Sequence, residues 1–408
     1  MAEVRPHLLV VPAFLGGHGG LENHVLATAR TAAQAGYRVT VITPRPIPAD
    51  GELGPRLAEW AEVDDVERRW RSRLGARLTR AAAAVKATVA ERRLPGPERR
   101  ADLALDRARP FMDAFWLGDG RALVAGADLV HAFGKPKPFV TGAIEAAADA
   151  GVPVVYTEIA QVTADYAARA DLRGFARVAD RCDVIAVMAE TQGEDIRRHF
   201  GYRGPVTVLE QWADGLEDEL LALEPPAAAP SDGRPVVVGS LCRLSPEKGL
   251  DTLLAAFARV AEHRRDVVLA VAGTGELAPV LRAQAAALGI AERVEFAGFV
   301  EDRVGFYESV DVFTVCSIEE GGPITGVEAM AAARPIVTTG CGAMPDRIRD
   351  GREGLRIEAG DVAALAEALA RLVDDGALRT VLGRAARGCY LERNAEATNR
   401  DRLVTLWA

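Results

Sequence analysis

The sequence predicts an α/β protein whose parallel sheets are doubly wound and lie in two domains of similar size. Short continuous apolar runs recur along the chain, and such runs are typical of strands that are buried on both faces. Helical patterns alternate with these runs, as in repeated βαβ units. A stretch rich in Pro and Ala at residues 223–235 separates two series of this alternation. The chain has 408 residues, enough for two or three domains, and we place domains at 1–222 and 235–391.

The first series begins with the apolar run at residues 7–12, which is followed by glycines and then by a helical pattern over 21–35. Gly36 ends that helix as a C-cap glycine would, and the next strand covers 37–43. Further strands are predicted at 128–131, 153–157, 184–187 and 206–209. The second series has predicted strands at 236–239, 267–272, 294–297, 312–315 and 335–338, with helices at 249–261 and 276–288.

Composition limits the classes of function. The formal net charge of −9 disfavours a dedicated nucleic-acid binder, which is usually basic. Five cysteines without a CxxC pair argue against a disulfide framework or a zinc site, and they fit a reducing cytosol. No stretch of roughly 18 apolar residues occurs without charge, and we expect no signal peptide before the first strand. We therefore expect a cytoplasmic protein without a membrane span.

One segment, residues 68–109, differs from the rest because it holds twelve arginines, one lysine and only four acidic residues. Pro95-Gly96-Pro97 breaks it between two helices. Three interpretations stay open: a solvated helical face, a surface that makes peripheral contact with a membrane or another anionic polymer, and a lid over an acceptor.

Two glycine-containing loops suggest anion binding. Residues 16–20 (GGHGG) follow a strand and open a helix, where backbone N–H groups can approach an anion, although a tight turn would need the same glycines. Arg243 and Lys248 lie five residues apart on the loop after another strand, and both side chains suit phosphates. A solvated pair of charges at a helix start is the alternative.

A second pair of charges lies further along the chain. Glu320 precedes a Gly-Gly-Pro turn, and a helix is predicted to start near Pro323, so that Glu328 lies about one turn inside it. The bare backbone amides between the two acids can hold phosphate, and the acids can hold sugar hydroxyls. Ordinary surface and helix-dipole acids are the alternative.

Together these residues resemble the retaining glycosyltransferases of family 4, which have the GT-B fold of two Rossmann-like domains facing a central cleft. Residues 241–250 are similar to the Arg-Leu-x-Pro-Glu-Lys-Gly loop of that family, and 320–330 to its acid, seven residues, Glu-Ala-Met signature. Residues 271–276 (VAGTGE) and 297–300 (AGFV) resemble two further blocks. Residues 19–24 resemble its Gly-Gly-x-Glu-x-His turn. In this fold the last helix often crosses back to the first domain, and residues 392–408 are the candidate here.

The resemblance implies transfer from a nucleotide sugar, with a UDP-sugar favoured, to a small-molecule, lipid or glycan acceptor that the first domain recognises. It implies that Arg243 and Lys248 bind the donor diphosphate and that Glu328 binds ribose. Neither a metal nor another cofactor is expected. The remaining implied positions are Glu320 and the backbone of Gly321, Gly322, Pro323, Ile324 and Thr325 at the sugar and phosphate, Phe299 and Val300 at the base, and Gly19 and Gly20 facing the phosphates or acceptor.

The sequence departs from the family at three places. Gly322 and Pro323 occupy a turn that usually reads Gly-Phe-Gly. Where the family has a histidine after the strand at 153–157, this chain continues Glu158-Ile159, and Ile159 stands in the place of the histidine. Three outcomes stay open: a preference for a deoxy sugar, Glu158 taking over the substrate contact, or an inactive protein. His131, also predicted to contact substrate, matches another family histidine but is followed by Phe133.

Two other functions stay open at this stage. A nucleotide-sugar epimerase can share the GT-B fold, although the pairs Arg243 with Lys248 and Glu320 with Glu328 favour a transferase. The missing histidine also permits a catalytically silent protein that binds sugar nucleotides as a partner subunit.

Overall fold

The computed structural model describes residues 5–15, 20–48, 52–67, 115–116, 119–169, 174–227 and 233–408. Its contacts divide the chain into two units. The first unit comprises residues 1–187, 193–208 and 402–408, and the second unit comprises residues 188–192 and 209–401. The sequence predicted a first domain that ends at residue 222, whereas residues 209–222 belong to the second unit. Leu220 explains the difference, because it is buried in a hydrophobic cluster of that unit, ahead of the Pro-rich stretch that suggested the boundary.

The first unit contains a seven-stranded sheet, ordered β3-β2-β1-β4-β5-β6-β7, in which all pairs are parallel. Its strands are β1 His7–Pro12, β2 Arg38–Thr43, β3 Glu62–Asp65, β4 Leu129–Phe133, β5 Val154–Thr157, β6 Val184–Val187 and β7 Val206–Val208. The described helices are Gly20–Gln34, Leu53–Ala58, Asp119–Ala125, Pro138–Ala150, Ala164–Ala168, Phe175–Val178 and Glu190–Phe200, the last of which begins in residues of the second unit.

The second unit contains a six-stranded parallel sheet, ordered β10-β9-β8-β11-β12-β13. Its strands are β8 Val236–Leu241, β9 Val267–Ala272, β10 Val294–Gly298, β11 Val312–Val315, β12 Ile336–Thr339 and β13 Gly354–Ile357. Its α-helices are Glu217–Ala222, Leu250–His263, Ala278–Ala287, Arg303–Ser309, Ile324–Ala331, Met344–Arg347, Val362–Asp374, Gly376–Arg393 and Glu396–Thr405, the last of which ends in residues of the first unit. The two Rossmann-like sheets predicted from the apolar runs are thus confirmed.

Burial explains which strands the sequence predicts and which it does not. All six residues of β1 are buried, as expected for a parallel strand that is covered on both faces. The edge strands β3 and β13 were not predicted. Both are only partly buried, and their sequences, EVDD and GLRI, hold no continuous apolar run, whereas the two other edge strands, β7 and β10, were predicted.

Each sheet reverses its strand order once, between β1 and β4 in the first unit and between β8 and β11 in the second. In open parallel sheets, ligands bind outside the carboxyl ends of the strands at such a reversal. The loops after β8 and β11 carry Arg243, Lys248 and Glu320, so the topology brings these three residues to one edge of the second sheet.

Within the described part of the chain, no helix combines the length and the apolar character that crossing a membrane requires. The predicted Arg-rich segment at 68–109 lies outside the described residues, so its three interpretations stay predictions.

Candidate active site

The loops after β8 and β11 are held together by their backbones. Gly249 has a φ of +63°, and a Cβ there would lie 2.2 Å from the carbonyl oxygen of Cys316. The amide of Ile318 donates to the carbonyl oxygen of Glu247 at 2.7 Å. Only glycine permits both the backbone angle and the approach, so the sequence Lys248-Gly249 fixes where the lysine side chain begins.

Lys248 forms an ion pair with Glu320 across these two loops. The side chains are only 13% and 18% exposed, and the Ser317 hydroxyl lies 3.4 Å from the same carboxylate. Burial by itself would lower the pKa of Lys248, but the Glu320 carboxylate outweighs it and holds that pKa above its ordinary value. The lysine is therefore a charged group that an incoming anion can bind in competition with Glu320.

Arg243 lies on the open side of the same loop, where its side chain is 57% exposed and 3.0 Å from the Glu247 carboxylate. Glu247 also accepts from the Ser245 hydroxyl at 2.5 Å. Burial would raise the pKa of Glu247, but Ser245, its own backbone amide and Arg243 together lower it. Glu247 thus orients Arg243 as an anionic partner, a role that was not predicted, although the i,i+4 spacing of the two residues is a signal for it.

Glu328 lies within the helix Ile324–Ala331 and is 1% exposed. Its carboxylate pairs with Arg303 at 2.5 Å and accepts from the Tyr307 hydroxyl at 2.8 Å. Burial raises the pKa of Glu328, although Arg303 and Tyr307 act in the opposite direction. Neither partner was predicted, because both lie on another helix, Arg303–Ser309, and no sequence motif marks them.

The turn between the two acids is tightly packed. The carbonyl oxygen of Gly321 accepts from the Ala343 amide at 2.8 Å and from Gln192 Nε2 at 3.1 Å. Pro323 caps the helix that starts at Ile324, and no side chain caps it through a hydrogen bond. The first amides of that helix, including Ile324 and Thr325, are a suitable partner for an anion in this position.

Phe299 and Val300 follow β10 and differ in exposure. Phe299 is 55% exposed, whereas Val300 packs against a hydrophobic cluster of the second unit. An exposed aromatic ring at a strand end offers a flat surface to a planar ligand. This geometry is compatible with the predicted base site, which stays a prediction.

In the first unit, His131 is fully buried in β4 and bonded on both sides of its ring. The indole nitrogen of Trp407 can only donate, so Nδ1 of His131 accepts from it at 3.1 Å, and Nε2 donates to the Thr157 hydroxyl at 2.8 Å. Burial, with His24 nearby, lowers the pKa of His131 to about 3, so the ring is neutral. The predicted contact of His131 with substrate stays a prediction. In the structure, both ring nitrogens have hydrogen-bond partners within the protein.

Glu158 follows β5 and is also fully buried. Its carboxylate accepts from the Ala160 amide at 2.9 Å and from the Tyr166 hydroxyl at 3.1 Å. The Tyr156 hydroxyl lies 2.7 Å from the carboxylate and 2.6 Å from the Gly134 carbonyl oxygen, yet it has one proton for both. If Glu158 were protonated, it would donate to the Tyr156 hydroxyl oxygen, and Tyr156 would donate its own proton to the Gly134 carbonyl oxygen. Burial raises the pKa of Glu158 to about 7, despite the donors around it.

The glycine-rich loop is only partly described. Gly20 is the first residue of the helix Gly20–Gln34, whereas Gly16–Gly19 lie outside the described residues. The roles predicted for Gly19 and Gly20 therefore stay predictions. Among the residues that the structure describes, no three His, Cys, Asp or Glu side chains form a group that could hold a metal ion.

Glu158 makes stability depend on pH in a direction opposite to that of an ordinary paired carboxylate. Its pKa is about 7 in the folded protein and near 4.5 when unfolded, so the folded state binds more protons between these values. Its contribution to stability is full below pH 4.5 and is lost as pH rises through 7, by about 3 kcal/mol. In Glu158→Gln, this part of the pH dependence should vanish when denaturant unfolding is measured from pH 5 to 8.

Glu396→Gln, which changes a more exposed acid, is the matched control and should keep the wild-type profile. If Glu158→Gln and wild type lost stability in parallel over this range, the carboxyl would be ionised throughout and the assignment would be wrong.

Family models match both parts of the chain. Residues 18–214 match the model for Glycosyltransferase Family 4, and residues 235–375 match the model for Glycosyl transferases group 1.

Curated relatives match over shorter spans. The GDP-mannose-dependent alpha-(1-6)-phosphatidylinositol monomannoside mannosyltransferase of Mycolicibacterium smegmatis is 30% identical over 245 residues, which cover 56% of this chain and 63% of that protein. The lipopolysaccharide core biosynthesis glycosyltransferase LpsE of Rhizobium meliloti is 37% identical over 166 residues, 41% of this chain and 45% of that protein. The matches span about half to two thirds of the length of these relatives.

A solved structure matches over nearly the whole chain. The crystal structure of HepE from Anabaena in complex with UDP has a TM-score of 0.71 and 18% identity, covering 98% of this chain and 99% of that one. At this identity the similarity shows the fold, which is the GT-B type with two Rossmann-like domains. Because the two family models together match residues 18–214 and 235–375, this chain belongs to the family-4, group-1 glycosyltransferases.

Proposed function

We propose that this protein transfers a hexose from a nucleotide-sugar donor to an acceptor hydroxyl, with retention of the anomeric configuration. The observation that carries the proposal is the partly buried pair of Lys248 and Glu320 at the strand-order reversal of the second sheet, with Arg243 on the same loop. Two cations on one loop at this edge suit a diphosphate. The acid beside them suits the sugar that the diphosphate carries.

The proposed chemistry uses these charges as the donor breaks. When the bond between the anomeric carbon and the β-phosphate oxygen cleaves, negative charge grows on the nucleoside diphosphate. Lys248 and Arg243 would stabilise that charge, and Lys248 would exchange Glu320 for a phosphate oxygen. Glu320 is then released towards the sugar, so one ion pair couples donor binding to the placement of the acid.

The donor and the acceptor are proposed by class. One relative is named for GDP-mannose and one structural neighbour was solved with UDP, so the donor panel contains both bases. A UDP-hexose is our first choice. The two curated relatives are named for a phosphatidylinositol monomannoside and for lipopolysaccharide core, which favours a lipid-linked or glycan acceptor. In this proposal, residues of the first unit recognise that acceptor.

A thermal-shift panel of UDP- and GDP-hexoses tests the donor. A ligand at a hundred times its Kd stabilises the folded protein by about 2.7 kcal/mol, which is a readily measured shift. The stabilising donor is then incubated with phosphatidylinositol and glycan acceptors, and the anomeric coupling constant of the product is read by NMR. An inverted product would contradict retention, and conversion of UDP-GlcNAc without acceptor would indicate an epimerase. Absence of any shift would contradict a nucleotide-sugar site.

Lys248→Ala should weaken nucleoside diphosphate binding and slow transfer. Removal of one such charge-stabilising donor costs about 2.7–4 kcal/mol of barrier, or roughly 10²–10³ in kcat. Arg259→Ala is the control, because it removes an exposed cation from the helix Leu250–His263 of the same unit. The rates of both variants are compared at equal folded fraction, measured by thermal unfolding. A Lys248→Ala enzyme with wild-type affinity and kcat would disprove the diphosphate site.

Glu320→Gln should separate binding from turnover. It removes the carboxylate that competes with phosphate for Lys248, so nucleoside diphosphate should bind more tightly, by about fivefold for a pair worth about 1 kcal/mol. The same change should lower kcat, because the acid is lost from the sugar.

Glu328→Gln should instead mainly raise the KM for donor, since ribose is held equally in ground and transition states. Steady-state kinetics and calorimetry with UDP and GDP check both, and the opposite pattern would exchange the two roles.

A further inference from the structure

Gln211 places an unpartnered oxygen against the turn at Gly321 and Gly322. The residue is 3% exposed, and its Oε1 has no hydrogen-bond partner among the described residues. A Cβ at Gly322 would lie 2.5 Å from that oxygen, so the amide lies directly on the backbone of the turn. Buried side-chain oxygens without a donor are rare, and such an atom beside a binding turn indicates a donor that the protein does not itself provide.

The backbone around Gln211 is fixed independently of its amide. The preceding residue, Glu210, is buried and forms ion pairs with Arg347 at 3.0 Å and Arg393 at 2.8 Å. The carbonyl oxygen of Gln211 accepts from Asn394 Nδ2 at 2.7 Å. The backbone that carries the Gln211 side chain is therefore held by neighbouring residues before a ligand arrives.

Gln192 also holds the turn at Gly321 and Gly322, and it is not a hydrogen-bond partner of Gln211 Oε1. Gln192 bonds through both amide atoms, since its Nε2 donates to Gly321 and its Oε1 accepts from the Met188 amide at 2.8 Å. The sulfur of Met188, which lies as close to Gly322 as Gln211 does, carries no proton. A side chain at position 322 would need the space that the Gln211 amide and the Met188 sulfur occupy, so glycine at this position permits the contact.

We propose that Gln211 Oε1 accepts a hydrogen bond from a hydroxyl group of the donor sugar. This rests on the proposed function, in which the turn at Gly321–Thr325 holds the sugar and its phosphate. The chemistry selects the group, because a carbonyl oxygen only accepts and ionised phosphate oxygens only accept. Sugar hydroxyls are the donors that a nucleotide sugar brings to this turn. Gln211 is then a specificity-determining residue for the donor sugar.

The test compares two affinities for each variant, so that effects on the diphosphate cancel. Calorimetry measures the Kd for UDP and the Kd for UDP-glucose in wild type, Gln211→Met and Gln211→Glu, and the first Kd is divided by the second. If the protein prefers guanine, the same ratio is taken for GDP and GDP-mannose. Methionine keeps the volume but removes the acceptor, so the ratio should fall about tenfold. Glutamate keeps an acceptor and should keep most of the ratio. The control is Gln284→Met, which should leave the ratio unchanged, because the Gln284 amide donates to the Asp251 carbonyl oxygen on a neighbouring helix of the same unit.

Monodeoxy donors supply a measurement that does not depend on how the variants fold. In wild type, removal of one particular hydroxyl should weaken binding about tenfold, and the same removal should have little further effect in Gln211→Met. A ratio that stays at the wild-type value in Gln211→Met would overturn the proposal and leave Oε1 to a buried water. Equal binding of all monodeoxy donors to wild type would overturn it as well. If wild type binds nucleoside diphosphates but no donor sugar adds affinity, this proposal fails while the diphosphate site stands. If it binds neither, the proposed function itself fails.

Discussion

The second unit depends on close backbone contact at the carboxyl edge of its sheet. Cβ atoms at Gly249, Gly273 and Gly342 would lie 2.2, 1.8 and 2.2 Å from carbonyl oxygens of neighbouring loops, and all three residues have positive φ. Carbonyl oxygens of packed loops cannot move away as a flexible side chain can. The loops after β8, β9, β11 and β12 therefore come together only because glycine stands at these positions.

This packing explains the electrostatics of the candidate site. Lys248 precedes Gly249, and the oxygen that Gly342 approaches is the carbonyl of Glu320. The same contacts thus place the lysine and the acid at the distance of an ion pair, which burial strengthens by removing competing water. Glu328 belongs to a separate cluster with Arg303 and Tyr307, so the two acids of the motif have different surroundings and different partners.

The first unit uses its polar residues differently. His131 lies in the middle of β4 and Glu158 directly follows β5, and each is fully buried and bonded to side chains of its own unit. For His131 the decisive partner is Trp407, which is distant in sequence and comes from the last residues of the chain. The sequence placed His131 at the end of a strand, whereas β4 continues to Phe133, and the tautomer of the ring depends on which donor the fold brings to it.

By itself, the sequence determined the two parallel sheets, the strands with continuous apolar runs and the motif residues at the reversal of the second sheet. These follow from local rules, because burial on both faces demands apolar runs and a turn of positive φ demands glycine. The edge strands β3 and β13 and the limit of the first unit at residue 208 were decided by the tertiary structure. So were the partners Glu247, Arg303, Tyr307, Tyr156 and Trp407, together with the position of Gln211 against Gly322. Most of these contacts join residues far apart along the chain, and no local pattern specifies which distant side chain the fold will bring to a given atom.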